Sequence, residues 1–161
     1  MLSGSAVRIR VKPAPVFRTL RTTDAAECAR LHAQAFTPSW PAQDFADQLS
    51  RADRLLTGVT LGEPTLAGFA ASRFVGGEAD LLTIVVDRGA RRKGLGARLL
   101  AHHCSALTAA RVTHVFLEVG AGNEPARALY KALGFVQVGL RRNYYGGAGL
   151  REDAIVLKCD L

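Results

Sequence analysis

The sequence predicts a single α/β domain built on a mixed, mostly antiparallel sheet, and three observations carry that expectation. Between residues 54 and 86, three apolar runs follow one another with only turn residues between them, the pattern of an antiparallel meander. From residue 81 onward the order becomes apolar run, basic glycine-rich loop, helical period, apolar run, helical period, apolar run, which is the order of strands alternating with helices. The 161 residues, 48% hydrophobic and 22% charged, have the length and composition of one globular domain with a proper core.

Taken in order, residues 1–15 read as a lead-in expected to be disordered, and the domain proper as 16–161. A first strand is expected at Val16-Phe17-Arg18-Thr19-Leu20. Thr22, Thr23 and Asp24 are helix-capping residues, and Ala25–Phe36 then has an amphipathic period that turns Cys28, Leu31 and Ala35 inward. Pro38-Ser39-Trp40-Pro41 reads as a turn and Ala42–Ser50 as a second helix, with Phe45 and Leu49 on one side. Strands follow at Arg54–Leu61, Thr65–Val75 and Glu78–Val86, joined around Gly62-Glu63-Pro64 and Gly76-Gly77. A helix over Ala97–Ala109 is announced by Leu95, Leu99, Leu100 and Leu107 at near-helical spacing. Then come a strand at Thr113–Val119, a helix at Pro125–Leu133 with proline in its first turn, and a strand at Phe135–Arg141. A polar loop, Asn143–Gly149, leads to a closing strand at Asp153–Cys159.

The composition narrows the function classes. No run approaches the ~18 apolar residues of a membrane span, and Arg8, Arg10 and Lys12 interrupt any signal-peptide centre, so a cytoplasmic protein with no membrane partner is expected. The three cysteines, Cys28, Cys104 and Cys159, and the four histidines lack metal-ligand spacing; no metal is expected. Net charge is +7, which suits an anionic partner without choosing among nucleic acid, a polyphosphate ligand and an acidic substrate.

The stretch that does choose is Arg91-Arg92-Lys93-Gly94-Leu95-Gly96, between an apolar strand and a helix. A loop that opens a helix offers free backbone N–H groups and the positive end of the helix dipole. Its glycines admit an anion close to that backbone, and Arg88, Arg91, Arg92, Lys93 and Arg98 surround it, so the stretch reads as a phosphate cradle. It is not a P-loop: Gly89 and Gly94 have the gap, but Leu95-Gly96 stand where lysine and a hydroxyl residue belong. Nor is it a dinucleotide fingerprint, because Leu99 replaces the third glycine.

Arg91, Gly94 and Gly96 do match Arg/Gln-x-x-Gly-x-Gly/Ala, the pyrophosphate loop of the GNAT N-acetyltransferase superfamily. Leu117-Glu118-Val119, Asn123, Ala126, Ala128-Leu129-Tyr130 and Leu133-Gly134-Phe135 extend the resemblance. Gly139-Leu140-Arg141-Arg142-Asn143-Tyr144-Tyr145 and Arg151-Glu152-Asp153-Ala154 resemble the RimI-type branch, the ribosomal-protein-alanine N-acetyltransferases, which act on a small-subunit ribosomal protein, number eighteen. The resemblance covers roughly residues 16–159. It implies a GNAT fold with a splayed parallel strand pair flanked by helices, acetyl-CoA as co-substrate, and acetyl transfer to a protein's N-terminal α-amine. It departs from the branch at Gly120-Ala121-Gly122, where Arg-x-Ser is usual, which predicts a looser loop beside the substrate cleft. Ala90 stands where an aromatic is frequent, and Trp40 is shifted relative to the usual Pro-Trp-Ser.

The same resemblance implies the site residues. Backbone groups of Ile84, Val85 and Val86 would bind the pantetheine amides between the splayed strands, and Arg91, Arg92, Lys93, Gly94, Leu95, Gly96 and Ala97 the pyrophosphate. Asn123 would touch the cofactor as well as cap its helix. By strand alternation Glu118 shares a face with Phe116, opposite Val115, Leu117 and Val119. A carboxylate in an apolar strand is costly unless paired or used. Glu118 is therefore either an ion-pair partner of Arg141 or Arg142, or, as the resemblance implies, the general base. Tyr130 is either a core aromatic or the acid that protonates the departing thiolate. Arg142, Tyr144 and Tyr145 are expected along the peptide groove, and an N-terminal peptide of a ribosomal protein is the expected partner. Two other functions remain open: a lysine or small-amine acetyltransferase of the same fold, and a non-catalytic basic module that binds the ribosome or nucleic acid. The basic residues crowd at one helix start without interleaved aromatics, so no direct nucleic-acid contact is required.

Overall fold

The computed structural model describes residues 11–145 and 151–161, so the lead-in expected before residue 11 and the loop at 146–150 lie outside the described residues; 11–15 carry no regular structure. Strand β1 (Val16–Thr19) is followed by helices α1 (Ala25–Ala35) and α2 (Ala42–Leu49). Strands β2 (Arg54–Thr60), β3 (Leu66–Val75) and β4 (Glu78–Val86) come next, then α3 (Leu95–Ala109), β5 (His114–Gly120), α4 (Glu124–Ala132), β6 (Val136–Tyr145) and β7 (Glu152–Asp160). One sheet contains all seven strands in the order β1-β2-β3-β4-β5-β7-β6. Only β4 and β5 run parallel; the other neighbours are antiparallel.

Helices cover both faces. Against one, α1 and α2 bury Cys28, Leu31 and Phe45 on Leu56, Phe69 and Val85. Against the other, α3 buries Leu95, Leu99, Leu100 and Leu107, and α4 buries Tyr130, on Val59, Ala70, Val115, Leu117 and Val119. These are the leucines whose spacing predicted α3, and the β5 residues whose alternation placed them on one face.

Three local expectations are corrected. Ala35 is exposed, and His32 is buried instead, stacked on Phe36 (ring centroids 4.5 Å apart) and Trp40 (4.7 Å). The helix ends at residue 35 before its inward stripe can continue. Thr22–Asp24 form a short 3-10 turn, and Asp24, which stands at the N-cap of α1, makes no side-chain capping bond to it, accepting instead from Arg21 N (2.8 Å) and from Arg18. Strand β6 continues through Tyr145 where a loop from Asn143 was expected. It does so because Asn143 adopts φ 54° and donates its N–H to Asp153 Oδ1 (2.8 Å), absorbing an irregularity in the ladder between Arg141 and Tyr145. Asparagine is among the residues that tolerate that left-handed conformation.

The feature that positions the site is the parallel pair. β4 and β5 are joined only at Glu78↔His114, Ala79↔Val115 and Asp80↔Phe116. Immediately beyond, the register of β3 on β4 slips, so that Ser72 faces Leu81 and Ala71 faces Thr83, with Leu82 as the extra residue. A bulge bends its strand and raises the local twist. β5 meanwhile stays paired to β7 as far as Gly120↔Ala154. The two strands part, and the β4 edge from Leu81 to Val86 is left without a β5 partner.

Candidate active site

The phosphate cradle stands at the far end of the unpaired β4 edge. Asp87 caps a short 3-10 turn, Arg88–Ala90, by accepting from Gly89 N (2.9 Å), and its other oxygen accepts from Gln34 and Arg30 of α1, both at 3.1 Å. The Gln34 hydrogen bond first, then the Gly89 amide, hold the Asp87 carboxyl below its ordinary pKa. Arg88 donates to the Gln34 carbonyl (2.8 Å) and Arg91 Nε to the Val86 carbonyl (2.9 Å), so the loop is tied on both sides. Gly94 then turns into α3 at φ 71°, a conformation that glycine adopts without steric cost. A Cβ placed on Gly94 would meet nothing within 4 Å, so the cradle faces open space. The first helical bond beyond it runs from Arg98 N to Gly94 O (3.3 Å), leaving the preceding amides without intrahelical acceptors. Arg91, Arg92 and Lys93 are exposed around it; Leu95 is buried and contributes only backbone, while Gly96 and Ala97 are half-buried.

From the cradle a cleft of about 530 Å³ runs into the gap between the strands, lined by Ile84, Val86, Gly96, Leu117, Glu118, Asn123 and Tyr130 among others. Val85 faces the α1–α2 side and packs there. Asn123 caps α4, accepting from Ala126 N at 3.3 Å. The Thr83 hydroxyl, also in the cleft wall, is buried without a hydrogen-bond partner among the described residues. An open cradle of amides and cations, a strand edge without a sheet partner and an orphan buried hydroxyl together fit a long, hydrogen-bonding ligand with an anionic end. Acetyl-CoA is such a ligand.

A second cleft, of about 580 Å³, opens beside the first and shares Leu81, Leu82, Leu117 and Glu118 with it; Arg73, Asp80, Phe116, Arg141, Tyr144 and Val156 complete its wall. Glu118 therefore stands where two cavities meet. It is half-buried, its side chain 26% exposed, and pairs with Arg141 (Nε to Oε1, 3.1 Å). Tyr130 is buried against Phe135, with ring centroids 5.7 Å apart.

Of the expected peptide-groove residues, Tyr144 lines the second cleft, with the Arg141 guanidinium 5.2 Å from its ring centroid. Arg142 is exposed and is not among the lining residues; the neighbouring Arg141 is. Tyr145 closes β6, and its side chain lies outside the described residues. Phe36 and Glu152 line the first cleft without having been singled out. Trp40 packs on His32 and Phe45 instead of the cleft. Glu152 also corrects the looser loop expected at Gly120–Gly122. Its carboxylate accepts from Gly122 N, and a Cβ on Gly120 would lie 2.9 Å from both of its oxygens. Ala121 N donates to Asp153 O (2.9 Å) and Arg127 Nη1 to Ala121 O (2.9 Å). The glycines make room for an acid that ties the loop down. Residue 120 paired with residue 154 would have indicated this, but that pairing is invisible before the sheet is formed.

Comparison with known proteins agrees with this geometry. A profile of the Acetyltransferase (GNAT) family matches residues 25–135. The [ribosomal protein bS18]-alanine N-acetyltransferase of Escherichia coli strain K12 is 37% identical over 139 residues, covering 86% of this chain and 93% of that protein. The N-alpha-acetyltransferase RimI of Mycobacterium tuberculosis is 37% identical over 147 residues, covering 88% and 89%. The crystal structure of the ribosomal-protein-S18-alanine N-acetyltransferase from Escherichia coli superposes with a TM-score of 0.81 at 35% identity, over 91% of this chain and 94% of that one. Arabidopsis thaliana NAA60 in complex with acetyl-CoA, 18% identical, shares the fold with a TM-score of 0.78 over 92% and 99%. With the family profile spanning most of the sheet and two relatives above one-third identity across nearly their whole length, the chain belongs to the acetyltransferase (GNAT) family.

Proposed function

We propose that this chain transfers the acetyl group of acetyl-CoA to the N-terminal α-amine of a protein, with the N-terminal alanine of a small-subunit ribosomal protein as its substrate. The observation that carries the reading is that Glu118 and Tyr130 line one cleft at the parting of β4 and β5, with the cradle at its other end. The names of the relatives support the substrate class, and the absence of any helix long and apolar enough to cross a membrane among the described residues suits work in the cytoplasm. No nucleic-acid contact and no metal is needed.

Acetyl-CoA supplies an activated thioester; everything else falls to the protein. The amides of residues 94–97 with Arg91, Arg92 and Lys93 hold the pyrophosphate, and the backbone of Ile84, Val85 and Val86, left without a β5 partner, pairs with the pantetheine amides instead. Asn123 closes that end of the cleft. Glu118, open to both cavities, accepts the proton of the attacking amine, through a water where the distance requires it. The Tyr130 hydroxyl, from the lining of the same cleft, gives a proton to the sulfur as it leaves. Tyr144 walls the peptide side.

Replacing the two side chains tests the roles. Glu118→Gln keeps shape and removes the base: acetyl-CoA affinity is expected to persist while kcat falls by roughly 10²-fold or more, the loss shrinking at high pH where the amine deprotonates unaided. Tyr130→Phe is expected to lower kcat with little change in KM. Full turnover per folded molecule in both variants would remove the assignment.

A further inference from the structure

The roles above leave Arg141 unused, although it is the cation that touches the proposed base. β7 lies between β5 and β6, so Arg141 reaches across an intervening strand to do so. The row it crosses is Arg141↔Ala154↔Gly120, and only small residues stand in it. Glu118 is two residues back along β5, in the next row on the same face, opposite Val156. The guanidinium meets the carboxylate through Nε and a single oxygen, Oε1, at 3.1 Å. Tyr144 supports it from the side, 5.2 Å from ring centroid to guanidinium carbon. The Arg141 side chain is 56% exposed, and exposed ion pairs of this kind add little to stability. An arginine carries five N–H donors; among the described residues, those on its two terminal nitrogens have no acceptor, and Arg141 lines the second cleft.

The spacing of the pair matches one kind of ligand. Within an amino-acid residue the amine nitrogen and the carbonyl oxygen are two atoms apart, about 3 Å given the backbone bond lengths. A carboxylate and a guanidinium in contact can therefore engage the amine and the carbonyl of one terminal residue together. The ε-amine of lysine has no carbonyl at that distance.

We propose that Arg141 is a positioning and specificity-determining residue. Its Nε keeps Glu118 turned into the cleft, and its terminal nitrogens bind the first carbonyl of the incoming peptide, which selects an α-amine over a lysine side chain. The inference rests on the N-terminal acetyltransferase reading above.

A cycle of two peptides and three enzymes tests it. One peptide begins with alanine and carries an internal lysine; the other is identical except that its first peptide bond is replaced by an E-alkene, which deletes the carbonyl oxygen without creating a second amine. Intrinsic amine reactivity differs between them but cancels when the same pair is compared across enzymes. In the wild type, loss of the carbonyl lowers kcat/KM. In Arg141→Met, which keeps much of the apolar stem, that loss is expected to be smaller by roughly tenfold or more, the worth of a hydrogen bond to a charged group. Arg141→Lys should recover part of it, and acetyl-CoA affinity should be the same in all three. An equal loss in wild type and Arg141→Met overturns the proposal, as does a fall in acetyl-CoA affinity that accounts for the whole effect. If the wild type modifies only internal lysines of both peptides, the failure belongs to the functional reading, and the cycle reports that separately.

Discussion

His103 is held, fully buried, between two hydroxyls: Thr57 Oγ1 lies 2.8 Å from Nδ1 and Ser72 Oγ 2.8 Å from Nε2. Burial pushes its pKa down from 6.5 to about 3, so between those two values it stays neutral in the folded protein while the unfolded chain would protonate it. Its contribution to stability is full above pH ~6.5 and is lost as pH falls toward about 3, at up to about 1.4 kcal/mol per pH unit. Burial shifts His32 in the same direction. His103→Gln, which can satisfy both hydroxyls without titrating, is expected to flatten part of this slope, read as the urea midpoint between pH 4 and 7; an unchanged slope would contradict it. The three thiols are quiet: burial raises Cys28 to about 12 and Cys104 to about 11. At this scale the sequence was legible where one strand or helix decides. Alternation along β5 put Glu118 opposite the core, and the alternative reading of an Arg141 partner is realised as geometry. It was illegible where two strands decide. Val156 sets Gly139 in the same row as Glu118, and the regular alternation from Gly139 to Arg141 then puts Arg141 rather than Arg142 on the face of Glu118, but that row is known only once β7 stands between β5 and β6.

The cradle loop and β4 contrast as elements. The loop is largely local: its glycines, its cations and the helix that follows are contiguous and were readable before the fold, whereas the ties from Arg30 and Gln34 of α1 were not. Gly94→Asp tests its role. Aspartate tolerates the left-handed conformation better than most residues, and the new Cβ meets nothing within 4 Å, so the variant should fold. Acetyl-CoA is expected to raise the Tm of the wild type by mass action, about 2.7 kcal/mol of stabilisation at a hundred times Kd. In Gly94→Asp the added carboxylate repels the pyrophosphate, and the shift should vanish; a normal Tm rise would remove the cradle assignment. β4 is not local. Its boundaries, Glu78 to Val86, follow from the sequence, but the bulge at Leu82 exists only in its register against β3. That bulge opens the cleft, and nothing in the run Leu81-Leu82-Thr83-Ile84 marks it.

For the whole molecule, the change from meander to strand–helix alternation was enough to predict a mixed sheet, because short antiparallel turns and a helical crossover leave few ways to connect the strands. The insertion of β7 between β5 and β6 is a long-range choice, and it places Glu152 and Arg141 in the walls of the two clefts that meet at Glu118. A site assembled this way suits an α-amine on energetic grounds. With a pKa near 8 such an amine is about a tenth neutral at pH 7, whereas lysine at ~10.4 is neutral to a few parts in ten thousand. The most direct measurement is therefore to incubate the full chain with acetyl-CoA and an alanine-starting ribosomal-protein peptide that also contains an internal lysine, and to map the acetyl group by fragmentation mass spectrometry. Acetylation at the α-amine, abolished when that amine is blocked, is the predicted result; efficient acetylation of the lysine with the α-amine left free would contradict the account.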